Sequence, residues 1–507
     1  SSAKEDLSTG EQMSHASVEK TEFQDVNIKS LPTKERTFYQ LLVYSFADGN
    51  DDGIGYFKGI IDHLDYLVDL GIGGIWLSPI LKAKSYHGYD VIDYYAINPD
   101  YEVTVGNAKY DLAKLLDACH QKGIKVLMDM VLNHSSESCA WVKEHPNWYK
   151  TPDAFPGAMK DFDYDNLELR EEIKKVGRYW LNKGVDGFRL DAAKWIYNYG
   201  DTTGSANDEK NYVWWNEFYD ACKETKEDVY MVAEVLTNAA DCISYYKSGL
   251  DSNFAFGARD KIYDAAKYAS PSNFTSYIET YQSQIRAIQS DGIEAPVISN
   301  HDIGRFQNFN DANLPYEKLA LAGLLNILSP GNSFVYYGDE LGMDGTCSGT
   351  RKNYYEDLNY RTPMPFASGR TNSESYLYSS VPGKSMTTST YQNLTADEEK
   401  SSSNSFYACY RKAIQAKNRL SYLYDGEVKK GNNGGNSEIG SSLFKKGNEQ
   451  ATVIFNCGAS SKQIRFDKDT ELLGEASLQS YSFIKDGVLS MPAYSAAIVK
   501  GEVSLSS

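Results

Sequence analysis

From about residue 35 the chain alternates between short apolar runs and stretches whose apolar residues recur at helical spacing. That rhythm marks repeated strand–helix units around a parallel sheet. It predicts strands over 39–45, 74–77, 125–129, 185–191, 229–234, 254–256, 296–299 and 333–337. It predicts helices over 60–70, 112–122, 167–183, 217–225, 272–290, 319–328 and 405–420. Eight such units make an α/β fold the first expectation, a (β/α)8 (TIM) barrel built from 34–134 and 166–420. A doubly wound open sheet is the alternative, but it does not account for the polar residues placed at strand ends.

Outside the alternating stretches the pattern changes. Residues 1–33 are polar and aperiodic, and read as a flexible N-terminal arm. Residues 135–165 form an excursion after the third strand and carry Trp141, Trp148, Tyr149 and Phe155. The run 345–403 is long, polar and without period, which in a compact domain marks a functional or mobile loop. Beyond Leu420, short alternating runs over 443–446, 450–456, 462–466, 480–485 and 493–499 are separated by Gly, Asn and Asp. They predict a C-terminal antiparallel β-sandwich over 421–507.

Candidate chemistry lies where the strands end. The third strand runs into Asp129-Met130-Val131-Leu132-Asn133-His134, and the fourth ends Arg189-Leu190-Asp191. The fifth ends Ala233-Glu234, and the seventh runs into Ser299-Asn300-His301-Asp302. Side chains alternate along a strand, so Arg189 and Asp191 share a side. An Arg beside an Asp keeps the carboxylate ionised, as a covalent nucleophile requires. A structural ion pair at a strand end is the alternative for these two residues alone. In a barrel, Asp191, Glu234 and Asp302 converge from three strands, with Arg189, His134 and His301 beside them. Three carboxylates with two His and an Arg suit glycoside hydrolysis. A metal-dependent hydrolase is the competing reading, although no His pair has the close spacing of metal ligands. Packed core histidines are the plain alternative for His134 and His301.

Composition narrows the field. The net charge of −18 repels phosphate backbones and argues against nucleic acid as a partner, while a neutral substrate feels no such repulsion. The 39 Tyr offer flat apolar faces with polar tips, a surface that suits sugar rings, though many belong to the core. The seven cysteines form no C-x-x-C pair, which argues against a zinc or redox site, and their odd number argues against a disulfide framework. No apolar run is long enough to span a membrane and no signal peptide is visible. The opening Ser1-Ser2-Ala3-Lys4 suggests a trimmed N-terminus.

Four separated motifs, DMVLNH at 129–134, GFRLDAAKW at 187–195, AEV at 233–235 and SNHD at 299–302, resemble the α-amylase family, glycoside hydrolase family 13. The resemblance covers roughly 36–505. It implies Asp191 as nucleophile, Glu234 as general acid/base and Asp302 as the carboxylate that holds sugar hydroxyls and stabilises the transition state. It implies Arg189 as the group orienting Asp191, and His134 and His301 as sugar ligands. Lys194 would contact the sugar on the leaving-group side. Retention of configuration is implied, with the two working carboxyls about 5–5.5 Å apart.

Further segments carry the same resemblance. In YHGYD at 86–90, His87 and Tyr89 would line the same subsite, the Tyr ring stacking on the sugar. HGYD is similar to the branch containing oligo-1,6-glucosidases and some bacterial amylases, and Arg305 in HDIGRF matches a substrate-side Arg of that branch. FVYYGDELGM at 334–343 and Arg361-Thr362-Pro363-Met364 also look like family segments. DGNDDGIG at 48–55 resembles a calcium loop, with Asp48, Asn50, Asp52 and the Ile54 carbonyl as oxygen ligands for Ca²⁺. The last Asp of that pattern is Tyr56 here. Asn133 matches a ligand of a second calcium site, while Trp195 replaces the His that often accompanies it. The stretch 161–165, DFDYD, departs from the family's MPDLN-like sequence.

The expected activity is endo-acting α-amylase action on α-1,4 links of starch or maltooligosaccharides. Neopullulanase, oligo-1,6-glucosidase and glucanotransferase activities are the sibling alternatives. A non-catalytic glucan-binding relative is the alternative of another class. The size of starch implies an extracellular or cell-surface protein.

Overall fold

The computed structural model describes residues 19–48, 55–150, 159–198, 204–343, 356–366 and 395–507. Eight parallel strands form one sheet: β1 (Phe38–Leu41), β2 (Gly74–Leu77), β3 (Lys125–Met130), β4 (Gly187–Leu190), β5 (Tyr230–Ala233), β6 (Ser252–Ala255), β7 (Ala295–Pro296) and β8 (Phe334–Tyr336). Each pairs with its neighbour in sequence, β8 pairs with β1, and Val297 bridges to Phe334. That last bridge joins the sheet's two edges and closes the barrel expected from the sequence.

Alternation decides what fills the barrel. Phe38, Trp76, Leu127, Tyr230, Val232, Phe254 and Phe334 pack together inside it. The intervening Tyr39, Ile75, Met128, Phe188 and Met231 face the surrounding helices. In β4, Phe188 and Leu190 point outward, so Arg189 points in. Gly187 starts this strand because a Cβ there would meet the Tyr230 carbonyl oxygen at 1.8 Å.

Polar side chains just ahead of three of the even strands, β4, β6 and β8, fix the register. Asp186, before β4, accepts from the Val126 N–H of β3 at 2.8 Å. Asp251, before β6, accepts from the Met231 N–H of β5 at 2.9 Å. Asn332, before β8, accepts from the Arg36 N–H that leads into β1 at 3.0 Å. A one-residue slip would break these bonds and turn each strand inside out. Three of the helices around the sheet start on side-chain caps: Asp111 for Leu112–Gln121, Asn166 for Leu167–Asn182 and, after the last strand, Ser405 for Phe406–Arg419.

Several boundaries differ from expectation. The first strand, expected over 39–45, stops at Leu41, and Val43–Phe46 is a short helix. Ser45 and Phe46 donate back to the Leu42 carbonyl at 3.0 and 2.9 Å, and Ser78 Oγ accepts from the Val43 N–H at 3.1 Å. The whole run is buried in either conformation, so its apolar character could not locate the turn. The helix expected over 217–225 starts at Asp208, and buried Asn211 breaks the apolar pattern over its first turns.

Of the arm expected to be flexible over 1–33, residues 1–18 lie outside the described residues, and 19–33 is engaged with the barrel. Ile28–Ser30 forms a 3-10 turn, and Ile28 and Leu31 are buried. Arg36 ties this segment to the barrel floor by donating to the carbonyls of Pro32, Gly73 and Gly123. Asp25 pairs with Arg411 and the Phe23 ring lies against the Arg419 guanidinium, so a segment of polar average composition is held by several anchors.

After β3, His134–Ser136 pairs antiparallel with Met159–Asp161, forming a small excursion beside the barrel mouth. The C-terminal region holds a five-stranded and a four-stranded antiparallel sheet. Ile454, Ala497 and Val499 of the first pack against Ile464, Leu489 and Met491 of the second. The other face of the five-stranded sheet, with Ala451, Val453 and Phe455, joins the core of the barrel's helices. Strands Glu427–Lys430, Leu472–Ala476 and Val488–Met491 were not read from the sequence.

Candidate active site

Arg189 is the hub of the barrel's C-terminal mouth. Its Nη1 donates to Asp129 Oδ1 at 3.1 Å and to Asp191 Oδ1 at 2.7 Å, and its Nη2 donates to Glu234 Oε2. The guanidinium lies 4.8 Å from the centre of the Trp76 ring. It has no exposed surface, whereas the side chains of Asp191 and Glu234 keep 13% and 14% exposed. The two carboxylates therefore face open space with their backs to one shared cation. A planar fork with five fixed donors makes this possible, and Lys could not replace it.

Asp191 leaves β4 through a strained turn. Ala192 takes φ 47° and ψ 41°, left-handed backbone that Ala adopts at a cost of about 1–2 kcal/mol. Its neighbours hold it there: Asp191 N–H donates to the Met130 carbonyl, Ala193 N–H to the Glu234 carbonyl, and Trp215 Nε1–H to the Ala193 carbonyl. The same bonds fix β4 against β3 and β5 where the carboxylates emerge.

Asp129 is fully enclosed and accepts from Arg189, from Trp76 Nε1 at 3.0 Å and from Tyr89 OH at 2.7 Å. Burial pushes its carboxyl upward against the pull of Arg189. With donors on every side it serves as a carboxylate, and it anchors Arg189 from below. Tyr89 OH also lies 2.7 Å from His301 Nε2, and the two rings are nearly parallel with centroids 5.3 Å apart.

Asp302 follows β7 and sits between His301 Nε2 and Arg361 Nη2, each 3.2 Å from one of its oxygens. Arg361 also donates through Nε to the His301 carbonyl at 2.9 Å and through Nη1 to Tyr86 OH at 3.0 Å. Asn300 Oδ1 accepts from the N–H groups of Asp302 and Ile303, which shapes the turn that presents the carboxylate.

The electrostatics separate two of these acids. Burial drives Glu234 well above the usual carboxylic range, and repulsion from Asp191 and Asp302 adds to it despite Arg189. Burial also acts on Asp302, but His301 and Arg361 outweigh it and hold its carboxyl well below the usual range. One acid that keeps its proton and one that stays ionised, in a single pocket, is the division of labour that acid-assisted displacement needs.

The other expected site residues fall into three groups. His87 and Tyr89 lie together on the loop after β2, where His87 Nδ1 accepts from the Tyr89 N–H at 3.0 Å and Asp90 accepts from both the N–H and the hydroxyl of Ser85. His134 is buried, its Nε2 3.2 Å from the Tyr89 carbonyl, so it braces that loop. Lys194 is 3% exposed, with its ammonium 3.1 Å from Asp241 and 3.5 Å from Asp208. Arg305 is engaged with Asp339. Asn300 bridges to Gly304, whose φ of 80° reverses the chain, and Arg305 runs back to Asp339 at 2.9 Å. There its guanidinium lies against the rings of Tyr336 and Tyr337 with no exposed surface.

Of the calcium loop, only Asp48 and Gly55 are described, and they pair across its base as an antiparallel bridge. A Cβ on Gly55 would meet the Val43 carbonyl oxygen at 1.9 Å, so this end of the loop requires glycine. Asn50, Asp52 and Ile54 lie outside the described residues. Asn133 Nδ2 donates to Asp161 Oδ1 at 3.4 Å, an engagement inside the protein. Among the described residues no cluster of three or more His, Cys, Asp or Glu is arranged to hold a metal. Sequence reading assigns no role to Asp129, Gln40 or Arg361. Asp129 is legible as a strand-end carboxylate and Arg361 as part of a family-like segment, whereas Gln40 carries no local signal.

Comparison with known proteins agrees with this geometry. The family profile described as Alpha amylase, catalytic domain, matches residues 40–155 and 148–426. Alpha-amylase 3 of Dictyoglomus thermophilum is 34% identical over 425 residues, covering 78% of this chain and 80% of that protein. The 4-alpha-glucanotransferase of Thermotoga neapolitana is 29% identical over 343 residues, covering 61% of this chain and 72% of that protein. Eubacterium rectale Amy13B superposes with a TM-score of 0.81 at 27% identity, over 93% of this chain and 96% of that one. The α-amylase from H. orenii superposes with a TM-score of 0.76 at 29% identity, over 92% of this chain and 100% of that one. The profile match takes in every barrel strand that bears a carboxylate of the pocket, and with it this chain belongs to the α-amylase family, glycoside hydrolase family 13, as an α-amylase-type glycoside hydrolase.

Proposed function

We propose that the protein is an endo-acting α-amylase that hydrolyses α-1,4-glucosidic bonds of starch and maltooligosaccharides with retention of configuration. The observation that supports this most is the pair Asp191 and Glu234, held on the two terminal nitrogens of one guanidinium, with Glu234 pushed towards its protonated form. Asp191 attacks the anomeric carbon and forms a glucosyl ester as the glucosidic C–O bond breaks. Glu234 gives its proton to the departing oxygen. It then takes a proton from water, whose oxygen attacks the same carbon and releases Asp191. Asp302, kept ionised by His301 and Arg361, stabilises the positive charge that develops on the sugar in both steps. Tyr89 supplies a ring for the sugar to stack on, and His87 and His134 hold its loop in place.

Neopullulanase, oligo-1,6-glucosidase and glucanotransferase actions use the same acids and differ in how the acceptor is placed. The similarity to a 4-alpha-glucanotransferase keeps transfer as the second reading. A glucan-binding protein without activity would have no need of the three acids together. We further propose Ca²⁺ at the 48–55 loop. Asp48 is fixed at the loop's pinned base, and its donor set with Asn50, Asp52 and the Ile54 carbonyl is all oxygen, which fits a hard cation. A cation there would cross-link the start of the loop to its end. An extracellular or cell-surface location follows from the size of starch as a substrate. The test is a product profile on soluble starch, maltooligosaccharides and pullulan. Rapid shortening of starch to mixed maltooligosaccharides supports the endo-amylase. Panose from pullulan supports neopullulanase action, glucose alone an exo-glucosidase, and products longer than the substrate a transferase.

A further inference from the structure

Gln40, on β1, is 1% exposed and places its Nε2 2.8 Å from His301 Nδ1. An amide N–H₂ donates and does not accept, so Nδ1 of His301 must carry a lone pair. The opposite edge of the ring gives the same answer independently. Tyr89 has one hydroxyl proton, which it donates to Asp129 Oδ2 at 2.7 Å. Its oxygen can then only accept from His301 Nε2, also 2.7 Å away. Both partners thus require the neutral imidazole to carry its proton on Nε2. That N–H is shared between Tyr89 and Asp302 Oδ2, which lies 3.2 Å away.

We propose that Gln40 is a positioning residue for catalysis: through its amide it locks the His301 proton on Nε2, where it faces Asp302 and the sugar pocket. This inference rests on the assignment of Asp302 and His301 to that pocket. Every group facing the imidazole fits the assignment. Gln40 reaches it from β1, Tyr89 from the loop after β2, and Asp302 from its own turn. The Trp76 ring of β2 meets it edge-on at 5.8 Å, and Arg361 holds its backbone carbonyl. None of these except Gln40 touches Nδ1. A carboxylate at position 40 would accept a proton from Nδ1 and reverse the arrangement. The Nε2–H would then exist only while the ring is an imidazolium.

The experiment pairs ¹⁵N NMR of imidazole-labelled enzyme with pH–rate profiles for the wild type, Gln40→Glu and Gln40→Leu. His301→Asn assigns the His301 signals. In the wild type the neutral His301 ring reads as unprotonated at Nδ1 and protonated at Nε2. Gln40→Glu, nearly the same shape, moves the proton to Nδ1 and adds a new fall in kcat as pH rises and the imidazolium loses its Nε2 proton. Gln40→Leu mixes the tautomers and lowers kcat about tenfold or more, as expected for one charge-assisted hydrogen bond lost from the transition state. Folded variants with wild-type His301 signals and an unchanged pH profile overturn the proposal, whatever their melting temperatures. An Asp302→Asn enzyme that still hydrolyses starch at the wild-type rate overturns the pocket assignment itself, and the NMR result separates that failure from this one.

Discussion

Arg361 Nη2 donates to Asp302 Oδ1 at 3.2 Å, joining a residue beyond the last barrel strand to the carboxylate after the seventh. The same guanidinium holds the His301 carbonyl and the Tyr86 hydroxyl, so it clasps three loops around one acid. Burial alone would raise Asp302, and His301 with Arg361 reverses that. Arg361→Met therefore raises the pH below which Asp302 is neutralised. The expected outcome is a kcat lower by about ten- to a hundredfold, the worth of a charge-assisted bond. The acidic limb of the pH–rate profile moves to higher pH. An unmoved acidic limb would show that Asp302 does not depend on this clasp.

Glu234→Gln removes the proton donor and keeps the shape. Hydrolysis of maltooligosaccharides is expected to fall by about 10²–10⁴-fold. An α-glucosyl fluoride, whose leaving group needs no proton, should lose much less in its first step. The wild-type rate should fall on the alkaline side as pH rises through the raised value of Glu234, and that limb should vanish with the fluoride. Equal losses on both substrates would remove Glu234 from the acid role.

Glu340 is fully enclosed behind β8, where Tyr39 and Tyr66 donate to its Oε2 at 2.8 and 2.6 Å. Burial pushes it up to about 7. The folded state therefore binds a proton that the unfolded state, with an ordinary Glu, releases above about pH 4.3. The resulting stability is complete below that pH and is lost as pH rises through 7. A gap between wild type and Glu340→Gln in unfolding free energy should shift by on the order of 1–3 kcal/mol between pH 4 and 8. Denaturant titrations at both pH values measure it, and a constant gap would contradict the buried-acid account.

Asp48→Ala tests the metal. If the 48–55 loop holds Ca²⁺, a chelator lowers the wild-type melting temperature, added Ca²⁺ restores it, and the variant responds to neither. Binding to the folded state alone raises stability with free metal concentration, by about 2.7 kcal/mol at a hundredfold excess over Kd. A calcium-dependent shift that persists unchanged in Asp48→Ala would place the ion elsewhere.

The barrel and most of its chemistry were legible because strand alternation and strand-end acids are both local signals. Asp191, Glu234 and Asp302 each sit one to a few residues past a run of apolar positions, where a barrel must present its active groups. The pairing of Arg305 with Asp339 was not legible, because its nearness to Asp302 in sequence hides the reversal at Gly304. The partners of Arg361 and Gln40 were hidden for the opposite reason. Arg361 lies 59 residues beyond its partner Asp302, and Gln40 lies 261 residues before His301. Nothing in either segment names its partner until the barrel closes. The engaged 19–33 segment was hidden by composition, since its few anchors, buried Ile28 and Leu31 with Asp25 and Phe23, sit among a polar majority.

The central claim is that Asp191 and Glu234 carry out a two-step displacement at the anomeric carbon of an internal α-glucosidic bond. Time-resolved ¹H NMR of soluble starch with the enzyme reads both parts of it at once. The account predicts that the first reducing ends formed are α-anomers, appearing in products of mixed length before mutarotation. β-Anomers formed first would show a single inverting displacement and contradict the nucleophilic role of Asp191.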